Sequence, residues 1–463
     1  MLKQRILLGA AALCLSFGSL AVLAQEARDF AWLEEIISAQ MSQQNVPGLA
    51  IALVQGDEVI YRGGFGVRST EAQEAVTPDT LFHIGSTTKP LTTIGVLQLV
   101  EAGALDLDAP VVSYLPEFAV DDAITLRHLL SHTAGLSDEA NARGPLDPEA
   151  LQQAVLAFGP AAQFAPAGDV RSYSNVGFNI AGAVIEAAAG AYYADYMGQI
   201  FRQMKMNRTT FDPTVAMTYP LAVGYQPGLL GNTIVRPMSA NTAEAPSGIL
   251  YSTVNDLARL VEFFLNEGVV DGTAIVSPEL FATMTAPSDV RTASEFGYGL
   301  GVFINEDRGT ATWGHDGKID GYTAVLRTWP AYDLGVVMLA NNIAFDGYAI
   351  EDAIAQTLLG LPAPEAPAAA QAPDDLAPYL GTYVISNPQG EAMFEVTISQ
   401  NEAGLSAQIT GQPGLELRPS SKPDAFDAYF AGSPVGAQVV FLRDDAGNVR
   451  YISAGLRVGV RQP

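Results

Sequence analysis

Ser86 and Lys89 stand three residues apart where an apolar run begins, in His83-Ile84-Gly85-Ser86-Thr87-Thr88-Lys89-Pro90. On a helix this spacing sets both side chains on one face of the first turn. A neutral hydroxyl attacks poorly, and a lysine one turn along can take its proton or stabilise the alkoxide. A helix N-terminus adds unpaired N–H groups and the positive end of the helix dipole beside the oxygen. The pair is a candidate for nucleophilic catalysis, although Ser-x-x-Lys also arises by chance.

Two further clusters carry chemistry-bearing residues. Phe164-Ala165-Pro166-Ala167-Gly168 leads to Arg171-Ser172-Tyr173-Ser174-Asn175, a polar loop ahead of an apolar helix from Gly177 to Ala189. Taken alone, a tyrosine in such a loop is more often a hydrogen-bonded surface residue than a functional one. Trp313-Gly314-His315-Asp316-Gly317-Lys318-Ile319-Asp320-Gly321-Tyr322 precedes a strand. Its glycines can simply reverse the chain, or can let a substrate lie close to the backbone.

Other chemistries find little material. There is no G-x-S-x-G elbow, phosphate-binding loop or dinucleotide fingerprint. The four histidines are His83, His128, His132 and His315. His128 and His132 have the spacing of a zinc pair, but the glutamate of H-E-x-x-H is missing. They read instead as helix-end histidines bonded to the backbone near Thr133-Ala134-Gly135, and no metal or cofactor is expected.

The elements that must position these residues follow from periodicity. Phe30, Leu33, Ile36, Ile37 and Met41 recur at helical spacing. Gly48 to Gln55 and Val59 to Gly66 read as an antiparallel strand pair joined through Gly56-Asp57-Glu58. Leu91 to Val100 is apolar nearly all round, which predicts a helix buried on every side with Gly103 as its stop. Strand signals return at Gly297 to Ile304, Gly321 to Thr328 and Gly335 to Ala340. The predicted fold is therefore α+β, an antiparallel sheet closed by N- and C-terminal strands with a helical region inserted. Residues 361–375 form a Pro/Ala-rich linker, and 376–463 read as a small all-β domain of short alternating strands.

The chain has 463 residues, 48% hydrophobic and 16% charged, a globular composition. Residues 1–24 have the pattern of a secretory signal, with Lys3 and Arg5 before an apolar stretch and Ala21-Val22-Leu23-Ala24 at its end. Cleavage after Ala24 is expected, giving a secreted or periplasmic protein; an uncleaved anchor is the alternative. Cleavage would remove Cys14, the single cysteine, and leave 22 basic against 50 acidic residues, a net charge of −28. Such a surface argues against nucleic acid and anionic lipid as partners.

Ser-x-x-Lys, then Tyr-x-Asn, then His-x-Gly, in that order, resembles the serine β-lactamase and penicillin-binding-protein superfamily. The branch with Tyr-x-Asn holds class C β-lactamases, D-alanyl-D-alanine carboxypeptidases, D-aminopeptidases and family VIII esterases. Supporting segments are Pro78-Asp79-Thr80-Leu81-Phe82, Gly103 to Asp108, Ile124 to Leu136 and Pro246 to Ser252, so the resemblance spans roughly residues 30 to 355, within a hydrolase domain at 25–360. It implies Ser86 as the acylated nucleophile, Lys89 as its partner and Tyr173 as a phenolate base stabilised by the adjacent ammonium. It further implies Asn175, His315 and Gly317 as substrate-binding residues and the backbone N–H groups of Ser86 and Lys318 as the oxyanion hole. The terminal β domain resembles the lipocalin-like barrel appended in many of these hydrolases.

The chain departs from most β-lactamases at the third motif, where His315 replaces a lysine that helps hold the substrate carboxylate. An imidazole is mostly neutral at pH 7 unless a carboxylate such as Asp316 raises its pKa. The expected activity is therefore ester or D-amino-acid amide hydrolysis of a small-molecule or peptide substrate. The alternatives are a penicillin-binding or sensor module that acylates without turnover, and a true class C-like β-lactamase.

Overall fold

The computed structural model describes residues 28–293, 296–365, 370, 372–402 and 404–463. The signal pattern at 1–24 lies outside the described residues, as do 366–369 and 371 of the Pro/Ala-rich stretch. No helix among the described residues is long and apolar enough to cross a membrane.

Apolar runs that alternate in side-chain direction must be covered on both faces. The strands Gly48–Gln55, Tyr322–Trp329 and Leu334–Ala340 are such runs, and they lie side by side at the centre of one antiparallel sheet. Its order runs from Gly297–Tyr298 through Phe303–Asp307, Thr310–Gly314, Tyr322–Trp329, Leu334–Ala340 and Gly48–Gln55 to Glu58–Ser69 and Glu74–Ala75. Gly317–Ile319 pairs separately with Tyr322–Trp329. One face carries Ala50, Ala52, Leu326, Val337 and Leu339 into a core shared with the inserted helices. The opposite face carries Leu49, Ile51, Leu53, Val336 and Met338 against the helices Ala31–Gln43 and Tyr348–Leu359.

The predicted arrangement of terminal strands around a helical insertion holds. At the sheet edge the chain differs from the expectation. The stretch Gly297 to Ile304 is divided by a turn in which Gly299 N–H donates to Val302 O at 2.9 Å, and Thr310–Gly314 adds a strand that its Thr-Ala-Thr-Trp-Gly sequence does not announce. The helix Thr88–Glu101 is buried on all sides, including Lys89, Thr92 and Thr93. Its charged and hydroxyl groups therefore need internal partners.

The C-terminal part closes into an eight-stranded antiparallel barrel running from Gly381–Ser386 to Arg457–Arg461. Tyr379, Tyr383, Phe426 and Phe441 pack in its core. A separate apolar cluster joins it to the rest of the chain, with Leu442, Tyr451 and Val458 of the barrel against Ala165 and Val170.

Leu339 is fully buried beside Ala50 and Ala324 in the sheet. Leu339→Ala should lower stability by about 2–5 kcal/mol. Urea unfolding should show the midpoint falling with an unchanged slope.

Candidate active site

Ser86 sits in a single 3-10 turn, Gly85–Thr87, that runs directly into the helix Thr88–Glu101. The nucleophile candidate thus lies just ahead of the helix rather than within its first α-turn. Side chains pin the turn: Thr88 Oγ1 donates to Gly85 O at 2.7 Å, and Thr87 Oγ1 donates to His315 O at 2.9 Å. Ser86 and Lys89 meet as their spacing predicts, with Lys89 Nζ 3.0 Å from Ser86 Oγ.

Lys89 has no exposed surface, and its amine has two other neighbours, Asn175 Oδ1 and the Ser247 carbonyl, each at 2.7 Å. Both are acceptors only. A neutral amine would spend its two N–H groups on them and turn its lone pair to Ser86 Oγ. Burial pushes the Lys89 amine down to about 7, against the opposing pull of Asp138 and Glu244, with Arg457 adding to the depression.

Asn175 is oriented by Asp138. Asp138 Oδ1 accepts from the Asn175 backbone N–H at 2.6 Å, and its Oδ2 accepts from Asn175 Nδ2 at 3.2 Å, which leaves Asn175 Oδ1 for the lysine. Ser174 caps the following helix, Asn175–Ala189, by accepting from Gly177 N–H. Tyr173 lies between these residues, its ring centroid 4.8 Å from Lys89 Nζ and 4.2 Å from the His132 ring. Burial raises its hydroxyl pKa, and the Ser86 hydroxyl and Arg457 only partly offset this. The phenolate implied by the family resemblance is therefore not the favoured resting form: desolvation outweighs the neighbouring cation.

The third motif forms the facing wall. A Cβ on Gly317 would sit 1.9 Å from Ile84 O, and one on Gly85 would sit 2.8 Å from Lys318 N. Only glycines let the strand Gly317–Ile319 lie against the Ser86 turn. The backbone N–H of Lys318 is thereby set against the turn that carries Ser86. The His315 side chain is held within the protein. Its Nδ1 donates to Asp316 O at 2.7 Å, so its Nε2 accepts from Tyr298 Oη at 2.9 Å, and the ring is 1% exposed. Both nitrogens are engaged by protein groups, although His315 lies in the wall of the cleft as its motif predicts. Asp316 does not charge it, because that carboxylate turns to Arg327 at 3.6 Å. Burial and Lys89 push the imidazole down to about 3.

A cleft of about 800 Å³ opens over Ser86, Tyr173, Asn175 and Lys318. Its far arm is rich in carboxylates: Glu306, Asp307, Asp316, Glu351 and Asp352. Arg308 is held there by Asp307 and Asp352, each at 2.7 Å, and Arg327 by Glu351 and Asp316. Lys318 is exposed and carries no ion pair among the described residues.

His128 and His132 do not form a pair. His128 closes a capping box with Thr125 on the helix Leu126–Leu130. His132 lies beyond that helix at φ +61, and its Nδ1 accepts from Ser174 N–H at 3.1 Å. It is bonded to backbone, though of the Tyr173 loop rather than of its own turn. No group of three or more His, Cys, Asp or Glu residues able to hold a metal occurs among the described residues.

Sequence reasoning missed Asp138, Ser247, Tyr298 and Arg457. Ser247 lies inside Pro246 to Ser252, a segment already singled out, and Asp138 lies two residues beyond Leu136. Arg457 has no local signal, since only the docking of the barrel brings it here.

With this geometry in place, comparison with known proteins is direct. The profile of the Beta-lactamase family matches residues 33–361. The chain belongs to that family. "Penicillin-binding protein 4" of Amycolatopsis lactamdurans is 30% identical over 377 residues, covering 77% of this chain and 97% of that protein. A crystal structure of SurE with D-Leu superposes with a TM-score of 0.73 at 26% identity, covering 93% of this chain and 99% of the other, a share too large to leave out the barrel. The D-alanine carboxypeptidase AmpC from Burkholderia cenocepacia gives 0.58 at 25% identity, covering 71% of this chain and 97% of its own. The Beta-lactamase family fold here is that of serine hydrolases and penicillin-binding proteins.

Gly317→Ala should drive its strand away from the Ser86 turn. A displacement near 1 Å at a reacting centre lowers rates about 100-fold. Fluorophosphonate labelling of Ser86 should slow by that factor while the far-UV circular dichroism stays unchanged.

Proposed function

We propose that the protein is a serine hydrolase that cleaves an ester or amide bond through an acyl-enzyme on Ser86. The observation that carries this reading is the Lys89 amine, buried and tied by two acceptors, with its third direction on Ser86 Oγ. As Ser86 Oγ attacks the carbonyl carbon, its proton passes to neutral Lys89, with the Tyr173 hydroxyl beside the same oxygen. The negative charge that develops on the carbonyl oxygen is met by the Ser86 and Lys318 N–H groups. Collapse of the tetrahedral intermediate expels the leaving group, which takes a proton from Tyr173, and Lys89 returns one to the phenolate. Water then repeats the sequence on the acyl-enzyme and releases the acid.

Esters and D-amino-acid amides or peptides are the substrates this reading favours over β-lactams. A carboxylate-bearing substrate would meet a neutral, committed His315, three arginines already held by carboxylates (Arg308, Arg327 and Arg457), and an acidic far arm. Lys318 is the cation left to attract it among the described residues. The D-alanine carboxypeptidase and the D-Leu complex among the structural relatives support D-configured substrates. A second reading, acylation without turnover, takes support from the relative named a penicillin-binding protein. A location outside the cytoplasm rests on the N-terminal signal pattern.

Ser86→Ala should reduce p-nitrophenyl ester turnover and fluorophosphonate labelling to background; activity retained in that variant would overturn the proposal. Mass spectrometry after penicillin treatment separates the two readings, because prompt return to the free mass marks the hydrolase and a persistent adduct the non-turnover module.

The Lys89 amine stands near 7 instead of its ordinary 10.5. It is mostly protonated below that pH and free above it. Turnover should therefore rise between pH 6 and 8 and level off above, in a kcat/KM profile.

A further inference from the structure

The hairpin turn between the barrel strands Val449–Ala454 and Arg457–Arg461 enters the hydrolase cleft. Leu456 and Arg457 line that cleft together with Ser86, Tyr173 and Asn175. Leu456 O accepts from the Tyr173 backbone N–H at 2.9 Å, and Val458 N–H donates to Ser172 Oγ at 3.2 Å. The turn thus grips the Tyr173 loop on consecutive residues. Between these two contacts, Arg457 Nε donates to Asp138 Oδ2 at 2.8 Å, and Arg457 Nη2 donates to the same oxygen.

Asp138 is 5% exposed, and Arg457 is the cation that pairs with it. An unbroken line of hydrogen bonds then runs from the barrel to the nucleophile: Arg457 to Asp138, Asp138 to both Asn175 amides, Asn175 Oδ1 to Lys89, and Lys89 to Ser86.

We propose that Arg457 is a positioning residue for the reaction of Ser86: by neutralising Asp138 it fixes the Asn175 amide and keeps the Lys89 amine free to accept a proton. The barrel is then a working part of the hydrolase centre rather than an appendage. The proposal rests on the reading of Ser86 and Lys89 given above.

The sign of the effect follows from the charges around Lys89. Asp138 and Glu244 favour its ammonium form; Arg457 opposes it. His132 and His315 also face it, both neutral through burial, and Tyr173 stays protonated. Removing Arg457 bares Asp138 and admits water, and both changes favour the ammonium. The amine should then free itself only at higher pH.

The test compares Arg457→Ala, Arg457→Gln and Arg457→Lys with Arg450→Ala in the full-length chain. Arg450 is a barrel residue near Asp169 at the same interface that does not touch Asp138. Second-order rates of fluorophosphonate labelling are measured from pH 5.5 to 10, alongside thermal melts. Arg457→Ala and Arg457→Gln should label about tenfold more slowly at pH 7 and approach wild type at pH 9.5, because their acid limb moves upward. Arg457→Lys should restore the limb, and Arg450→Ala should leave it in place. An unmoved limb in whichever charge-removing variant folds overturns the proposal, whether or not the amplitude falls, as does a limb in Arg457→Lys displaced as far as in Arg457→Gln. Labelling that persists in Ser86→Ala would instead remove the underlying reading and this proposal with it, so the two failures are distinguishable.

Discussion

The site depends on one buried amine. A lysine without exposed surface cannot keep its charge cheaply, because desolvation disfavours the ammonium more than nearby carboxylates favour it. Two oxygens that can only accept then dictate where its hydrogens go. Everything else around the amine serves that arrangement. Asp138 turns the Asn175 amide so that oxygen rather than nitrogen faces Lys89, and Glu244 accepts from Ser247 Oγ at 2.9 Å, bracing the residue whose carbonyl takes the other hydrogen.

Burial of Lys89 is in turn a property of the sheet. The central strands bury both faces, so the helix Thr88–Glu101 is enclosed by protein and can carry an ionisable group away from water. The Ser86 turn is then pressed against the strand Gly317–Ile319, with glycine on each side of the contact. Rigid elements rather than mobile loops therefore set the distance between the nucleophile and the backbone N–H groups opposite it.

Much of this was legible in the sequence. The all-round apolar run after Lys89 announced a core helix, and continuous apolar strands at the two ends of the hydrolase region announced a sheet closed around an insertion. Ser86, Lys89, Tyr173, Asn175 and Gly317 were singled out because spacing or motif order marks them, and the structure brings them together. What stayed hidden was decided by tertiary surroundings. Residue type says that histidine titrates near neutrality, but not that Tyr298 and the Asp316 carbonyl occupy both nitrogens of His315. Residue type likewise says that an ammonium lowers a neighbouring phenol, while the extent of burial around Tyr173 reverses the balance. Arg457 was invisible because its partner Asp138 lies 319 positions away, and no periodicity reports a contact of that span.

That span also orders events in time. Ser86, Lys89, Tyr173 and Asn175 all precede the barrel in the chain, and a ribosome delivers them first. The carboxylate of Asp138 has no arginine to meet until the hairpin at Gly455 has been made, folded and docked. The ion pair between Asp138 and Arg457 thus joins two distant parts of the chain, and it exists only where both are folded and docked.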